Sequence, residues 1–234
     1  MTSIRPAQTS DAAGIAVVQV KVWPDEHADI QRIANVIEDT DHMTHVAEKN
    51  GHIVGFVDGF ITRSEAGRLR WEVDLLAVHP DFQQRGIAKR MIRASGQSGR
   101  EFGVILTRTL IHVDNRGSMK AFAGCGYHVQ GEQCGLFVSS SDSPLLRQET
   151  EANSYLVSVR TMKYYGLWVE GKLSEAGFKV ANAVRVQHNL DLAGVVIPGR
   201  EAAAVRAAYS AGYQYIGQYQ YWTTDICNPW SLAL

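Results

Sequence analysis

The hydrophobic pattern is clearest at residues 73–78, Val-Asp-Leu-Leu-Ala-Val, a short apolar run that predicts a buried strand. His79-Pro80-Asp81 stops it, because proline has no N–H to give a ladder and cannot continue a central strand. A glycine-containing turn, Gln83-Gln84-Arg85-Gly86-Ile87-Ala88, follows, and residues 89–103 read as a helix. Upstream, 46–48 and 52–57 read as a hairpin about Asn50-Gly51, the preferred two-residue turn. Downstream, 103–113 reads as a strand, 115–126 as a helix ending at Gly126-Tyr127, and 213–223, rich in Tyr, as a last strand. Residues 139–153 begin Ser-Ser-Ser-Asp-Ser-Pro and turn charged, which predicts a linker.

A repeat lies beneath this pattern. Residues 106–127 align without gaps on 192–213, matching Leu106 with Leu192, Ile111 with Ile197, Ala121 with Ala207, Gly126 with Gly212 and Tyr127 with Tyr213. Both copies read strand, helix, Gly-Tyr, strand. The same offset sets the 83–88 turn against Val169-Glu170-Gly171-Lys172-Leu173-Ser174, which has no such turn and brings a carboxylate. The second half is therefore read as a partial, degenerate copy with structural work: covering a sheet edge, forming a homodimer, or walling a pocket.

Composition narrows the class. The chain has 234 residues with 45% hydrophobic content, enough for a core. The formal net charge of −1 offers no global field for nucleic acid. No apolar run has transmembrane length and the start lacks a signal layout, so the expectation is a cytoplasmic protein without a membrane partner. Cys125, Cys134 and Cys227 form no Cys-x-x-Cys pair, which argues against structural disulfides or zinc. Cys125 is either a reactive thiol or a small packed residue. His42-x-x-His45 beside Asp41 lacks further ligands at metal spacing, so no metal is expected.

The 83–88 turn carries the first chemistry. At a helix start, several backbone N–H groups point one way and join the positive helix end in a phosphate site. Gly86 lets the backbone approach a ligand and Ala88 leaves room beside it. The strand, Val78-His79-Pro80 and Gln83-x-x-Gly86-x-Ala88 together resemble the acetyl-CoA pyrophosphate loop of the GNAT acyltransferase superfamily, whose pattern is Gln/Arg-x-x-Gly-x-Gly/Ala. Ile4-Arg5-Pro6-Ala7-x-x-Ser10-Asp11 is similar to that family's first strand and helix start, with Ser10 as N-cap. Asn115-x-x-Ser118 and Gly126-Tyr127 are similar to its Asn-x-x-Ala…Tyr-x-x-x-Gly-Phe segment. The resemblance covers about residues 1–140.

It implies an α/β fold with a mixed sheet: a GNAT domain at 1–140, a linker at 141–153 and a degenerate GNAT-like half domain at 154–234. It also implies an N-acetyltransferase using acetyl-CoA as co-substrate, with direct attack by the amine of a small molecule. Protein N-terminal or lysine acetylation and a CoA-binding pseudoenzyme or sensor remain the other readings. Gln83, Gln84, Arg85, Gly86, Ile87 and Ala88 would hold the pyrophosphate. In this family the strand before the loop splays from its neighbour, so Leu76, Ala77 and Val78 would pair with pantetheine and face the thioester.

Asp74, four residues before Val78, stands as general base or as a polar residue that positions the amine, and Glu72 shares its face by period two. The family's acid, a Tyr four residues before the Gly of Gly-Phe, is Phe122 here, and a phenyl ring cannot protonate a thiolate. His112 at a strand end is an acid or base, or simply packed. Asn115 contacts CoA or caps its helix. Asp25, Glu26, Asp29, Glu38, Asp39 and Asp41, against Arg32, form either an acidic rim for an amine or a solvated face.

Overall fold

The computed structural model describes residues 2–104, 106–140 and 154–225. Strand β1 (Ser3–Pro6) leads through a short 3-10 turn to α1 (Ala12–Val22) and α2 (Ile30–Glu38). Strands β2 (His45–Lys49), β3 (His52–Arg63) and β4 (Leu69–Val78) follow, then α3 (Ile87–Glu101), β5 (Leu106–His112), α4 (Arg116–Ala123) and β6 (His128–Ser139). The second half runs β7 (Ser154–Arg160), β8 (Tyr165–Gly171), α5 (Glu175–Gln187), β9 (Leu192–Pro198), α6 (Ala202–Ser210) and β10 (Gln214–Asp225). No helix among the described residues is long and apolar enough to cross a membrane.

Local chemistry explains the element ends. Asn50 and Gly51 both have positive φ, 52° and 78°, as a tight hairpin turn requires. Ser10 is not the cap of α1: it lies in the 3-10 turn, and Asp11 takes the N-cap position. Asp11 also accepts from the Gln8 N–H at 2.8 Å and pairs with Arg5 at 2.7 Å, so one carboxylate serves both the turn and β1. Ser139, expected in the linker, closes β6. The proposed linker, 141–153, and Cys227 lie outside the described residues.

Ten strands form one mixed sheet in the order β1-β2-β3-β4-β5-β10-β6-β9-β8-β7. The starts of β5 and β9, of α4 and α6, and of β6 and β10 are each 86 residues apart, so the repeat read from residue identities is a structural repeat. The two copies exchange their last strands. β10 lies antiparallel between β5 and β6, while β6 lies antiparallel against β9. The hydrophobic core divides accordingly. Trp71, Val73, Met91 and Ile92 pack one group around α3. Phe178, Val195, Ile197 and Tyr213 pack another around α5 and α6. The sheet also bends back on itself, so that Phe60 of β3 packs against Val157 and Val159 of β7.

Candidate active site

The first site element is a parting of strands. β4 and β5 run parallel only through Arg70/Leu106, Trp71/Thr107 and Glu72/Arg108. Beyond that point β4 continues to Val78 with its free edge toward the gap, while β5 pairs with β10 on its other side. The splay expected at 76–78 is therefore present. A bulge in β4 shapes it. Asp58 faces Asp74 and Phe56 faces Ala77, which leaves two β4 residues against one on β3. Leu75 sits at the bulge with φ +34°, an uncommon conformation for leucine. The extra residue flips the alternation: Trp71 and Val73 face the α3 core before it, and Leu76 and Val78 after it.

The turn after β4 is preorganised. Gln83 Nε2 donates to the Val78 carbonyl at 3.0 Å, and Arg85 donates to the Asp81 carbonyl at 2.9 Å. Gln84 has φ +60° and Gly86, at the N-terminus of α3, has φ +74°. A Cβ placed on Gly86 would meet no heavy atom within 4 Å, so the helix start opens outward. This geometry fits a pyrophosphate held by backbone N–H groups. Asn115 caps α4, accepting from the Ser118 N–H at 3.0 Å. Phe122 does not line the gap: it is 2% exposed in the α3 core, with its ring 4.9 Å from that of Tyr127. Phe122→Ala is accordingly expected to cost about 3–5 kcal/mol, read by denaturant unfolding.

On the opposite face, the gap opens into a cavity of about 560 Å³, within the usual size of small-molecule sites. Strands from both halves wall it. Asp74, Leu75 and Leu110 come from the first half, and Tyr164, Trp168 and Tyr221 from the second. Burial, and then the facing charge of Asp58, push the Asp74 carboxyl up to about 6. Asp58 is itself fully buried, between His42 Nδ1 at 2.9 Å and the Thr44 hydroxyl at 2.8 Å. Burial opposes the charge on His42, but Asp58 outweighs it and raises the imidazole above its ordinary range.

Glu72 shares the face of Asp74 but is not a free carboxylate. Arg108 Nε contacts both its oxygens at 2.8 Å, Thr62 donates to it at 2.5 Å, and Arg70 lies at 3.6 Å. The expectation of Glu72 as a catalytic group is corrected to that of an anchor. The same arginines hold Glu170 of β8: Arg108 at 2.8 Å and Arg70 at 2.9 and 3.1 Å. Burial works against the Glu170 charge, and the two arginines hold its carboxyl below the ordinary range.

Pairing register also revises the meaning of Glu170. β8 meets β9 at Gly166/Leu192, as β4 meets β5 at Arg70/Leu106. Glu170 therefore occupies the place of Asp74, and Gly171, with φ +74°, that of Leu75. β8 stops there and α5 begins at Glu175, so the second copy has no strand extension and no phosphate turn.

The remaining candidates separate from the cavity. His112 contacts Tyr219 edge-on at 5.0 Å and accepts from the Asp114 N–H, outside the cavity lining. Acids of the 25–41 segment dock the second half, and Asp39 also lines a second cavity between α2 and that half, apart from Asp74. Glu26 pairs with Lys163 at 2.5 Å and Asp39 with Arg160 at 3.3 Å, while Asp29 caps α2. Burial raises the Cys125 thiol, in keeping with a packed residue. Tyr164, which donates no signal in the sequence pattern, sits against Asp74; burial, then that carboxylate, push its hydroxyl up.

A family model, Acetyltransferase (GNAT) family, matches residues 9–127, half of the chain. The chain belongs to the GNAT acetyltransferase family. This GNAT protein also shares its fold with solved structures over nearly its whole length. A tandem GNAT protein from the clavulanic acid biosynthesis pathway is 12% identical with a TM-score of 0.60, covering 97% of this chain and 99% of its own. A GCN5-related N-acetyltransferase from Sphaerobacter thermophilus is 11% identical with a TM-score of 0.59, covering 96% of each chain. The yncA protein of Salmonella typhimurium, solved with its cofactor acetyl-CoA, is 22% identical with a TM-score of 0.51; the match covers 57% of this GNAT chain and 83% of yncA. No curated protein matches the GNAT chain in sequence.

Proposed function

We propose that this chain is an acetyl-CoA-dependent N-acetyltransferase that acetylates a primary amine of a small molecule by direct attack, with one active site per chain. The observation that carries it is the parting of β4 from β5 just beyond Glu72/Arg108. There the free edge of β4 leads on to a preorganised phosphate turn, and Asp74, its carboxyl raised to about 6, lines the cavity between the two halves. The cavity's volume of about 560 Å³ is of the size that takes a small amine.

In this reading residues 83–88 hold the pyrophosphate, and a backbone N–H of residues 76–78 on the free β4 edge polarises the thioester oxygen. Asp74 takes one proton from the bound ammonium, directly or through water. The amine lone pair then forms the C–N bond as the C–S bond breaks, and the amine's second proton leaves with the CoA thiolate. No side-chain acid is needed at position 122, where a phenyl ring stands in the core.

The test is a thiol-release screen of pooled amines with acetyl-CoA, run with wild type and Gly86→Glu. The variant sets a negative charge at the outward helix start and forces a side chain into φ +74°. By calorimetry it is expected to bind CoA more than about tenfold more weakly, a loss of about 1.4 kcal/mol or more. Unchanged affinity, or two CoA molecules per chain, would overturn the assignment.

A further inference from the structure

The walls of the cavity state what kind of amine fits, given the acetyltransferase reading on which this inference rests. Its charges largely cancel in place. Arg70 and Arg108 are bound to Glu72 and Glu170 at 2.8–3.6 Å, joining the two halves across the interior. Lys163 also lines the cavity, but its ammonium is paired with Glu26 at 2.5 Å and lies 3.8 Å from the centre of the Trp23 ring. Asp58, under Asp74, is taken up by His42 and Thr44. Asp74 forms no salt bridge among the described residues, and so it is the carboxylate left for a ligand cation at the bulge.

The rest of the wall is apolar or aromatic. Phe60, Tyr164, Trp168, Tyr219 and Tyr221 line it with Val159. Trp168 Nε1 is already satisfied by the Tyr164 hydroxyl at 3.1 Å, and the Tyr221 ring lies 4.8 Å under the Arg108 guanidinium. These rings offer faces to a ligand more than free hydrogen-bonding groups. An ammonium at Asp74 gains an ion pair and neighbouring ring faces, while its body replaces water on apolar walls.

We propose that the acceptor is a hydrophobic amine without a carboxylate, an arylalkyl or alkyl amine whose ammonium meets Asp74 and whose body fills the ring-lined space between the two halves. An amino acid brings a carboxylate, and the cations that line the cavity, Arg108 and Lys163, are already bound by Glu72, Glu170 and Glu26. Glu201 of the second half also lines the cavity and forms no salt bridge among the described residues, so the exclusion covers carboxylates and hydroxyl-rich amines such as amino sugars and does not extend to a second cation. Burying a carboxylate or hydroxyls unpaired is what excludes them.

Matched pairs test this in two readouts. 2-Phenylethylamine is compared with phenylalanine, and hexylamine with 6-aminohexanoic acid, both for CoA release and for binding by calorimetry to the CoA-bound full chain. The carboxylate-free amine of each pair is expected to exceed its partner by about 10²-fold in kcat/KM and to bind more tightly. Trp168→Ala is expected to raise KM for 2-phenylethylamine at least about tenfold, the energy of a lost aromatic wall, with CoA affinity unchanged; Trp168→Phe restores most of it. Equal or better turnover or binding of phenylalanine or 6-aminohexanoic acid overturns the inference while leaving acetyl transfer intact. Preferential binding of the carboxylate-free amines without any CoA release supports the ligand class and overturns the acetyltransferase reading instead.

Discussion

A chain cut after Ser140 is expected not to form a cooperative fold. The cut removes β7–β10 and with them the strand that lies between β5 and β6. β5 would keep only its three-pair contact with β4, and β6 would lose partners on both edges. Arg70 and Arg108 would keep Glu72 but lose Glu170, the acid that balances the second guanidinium. Phe60 would lose Val157 and Val159. Exposed strand edges and apolar walls favour aggregation over a monomer. Size-exclusion chromatography and near-ultraviolet circular dichroism of residues 1–140 should show aggregates or a species without fixed tertiary packing. Co-expression with residues 154–234 should recover a soluble complex, because each fragment supplies the strand the other lacks. A monomeric, fully active 1–140 fragment would show that the strand exchange is dispensable.

Asp74→Asn is expected to lower kcat/KM by about 10²–10⁴, the usual loss of a general base, while making the fold more stable at neutral pH. The folded carboxyl, at about 6, lies above its unfolded value of 3.8. Its contribution to stability is therefore fully present below about pH 4 and is lost as pH rises through about 6. Above that range an ionised Asp74 is a cost to folding of up to about 3 kcal/mol, at 1.36 kcal/mol per pH unit. Asparagine removes both the desolvated charge and its repulsion with Asp58. Thermal melts at pH 8 should rise for the variant, and CoA affinity should not change. Lower activity together with a lower melting temperature would instead mark Asp74 as structural, and wild-type turnover would remove it from the mechanism.

Much of the first unit was legible because its signals are local. Asn50-Gly51 names its turn, Pro80 ends a strand, and Gly86 marks a helix start that must expose N–H groups. The repeat was legible because both copies place the same residues at the same spacing. The strand exchange was not, since alternation along β6 and β10 assigns faces but never neighbours. The bulge was hidden for a related reason: Leu75 carries no mark of its positive φ, whereas its counterpart Gly171 does. In the site, Asp74 could be placed by its distance from Val78. Glu72 could not be told from it, because the arginines that bind Glu72 come from other places on the sheet, as does Glu170. Tyr164, Trp168 and Tyr221 join the cavity only through tertiary folding. Phe122 followed a family position, yet packing against Tyr127 turned it into the core.

The pH dependence of kcat/KM for an accepted amine tests most directly whether Asp74 deprotonates a bound ammonium. If it does, the profile is a bell. It rises as Asp74 ionises through about 6 and falls once the free amine, with a pKa of about 10, is no longer charged when it binds. A profile that climbs steadily toward about 10, with no limb near 6 in wild type and none removed by Asp74→Asn, would mean that the amine loses its proton in solution and that Asp74 is not the base.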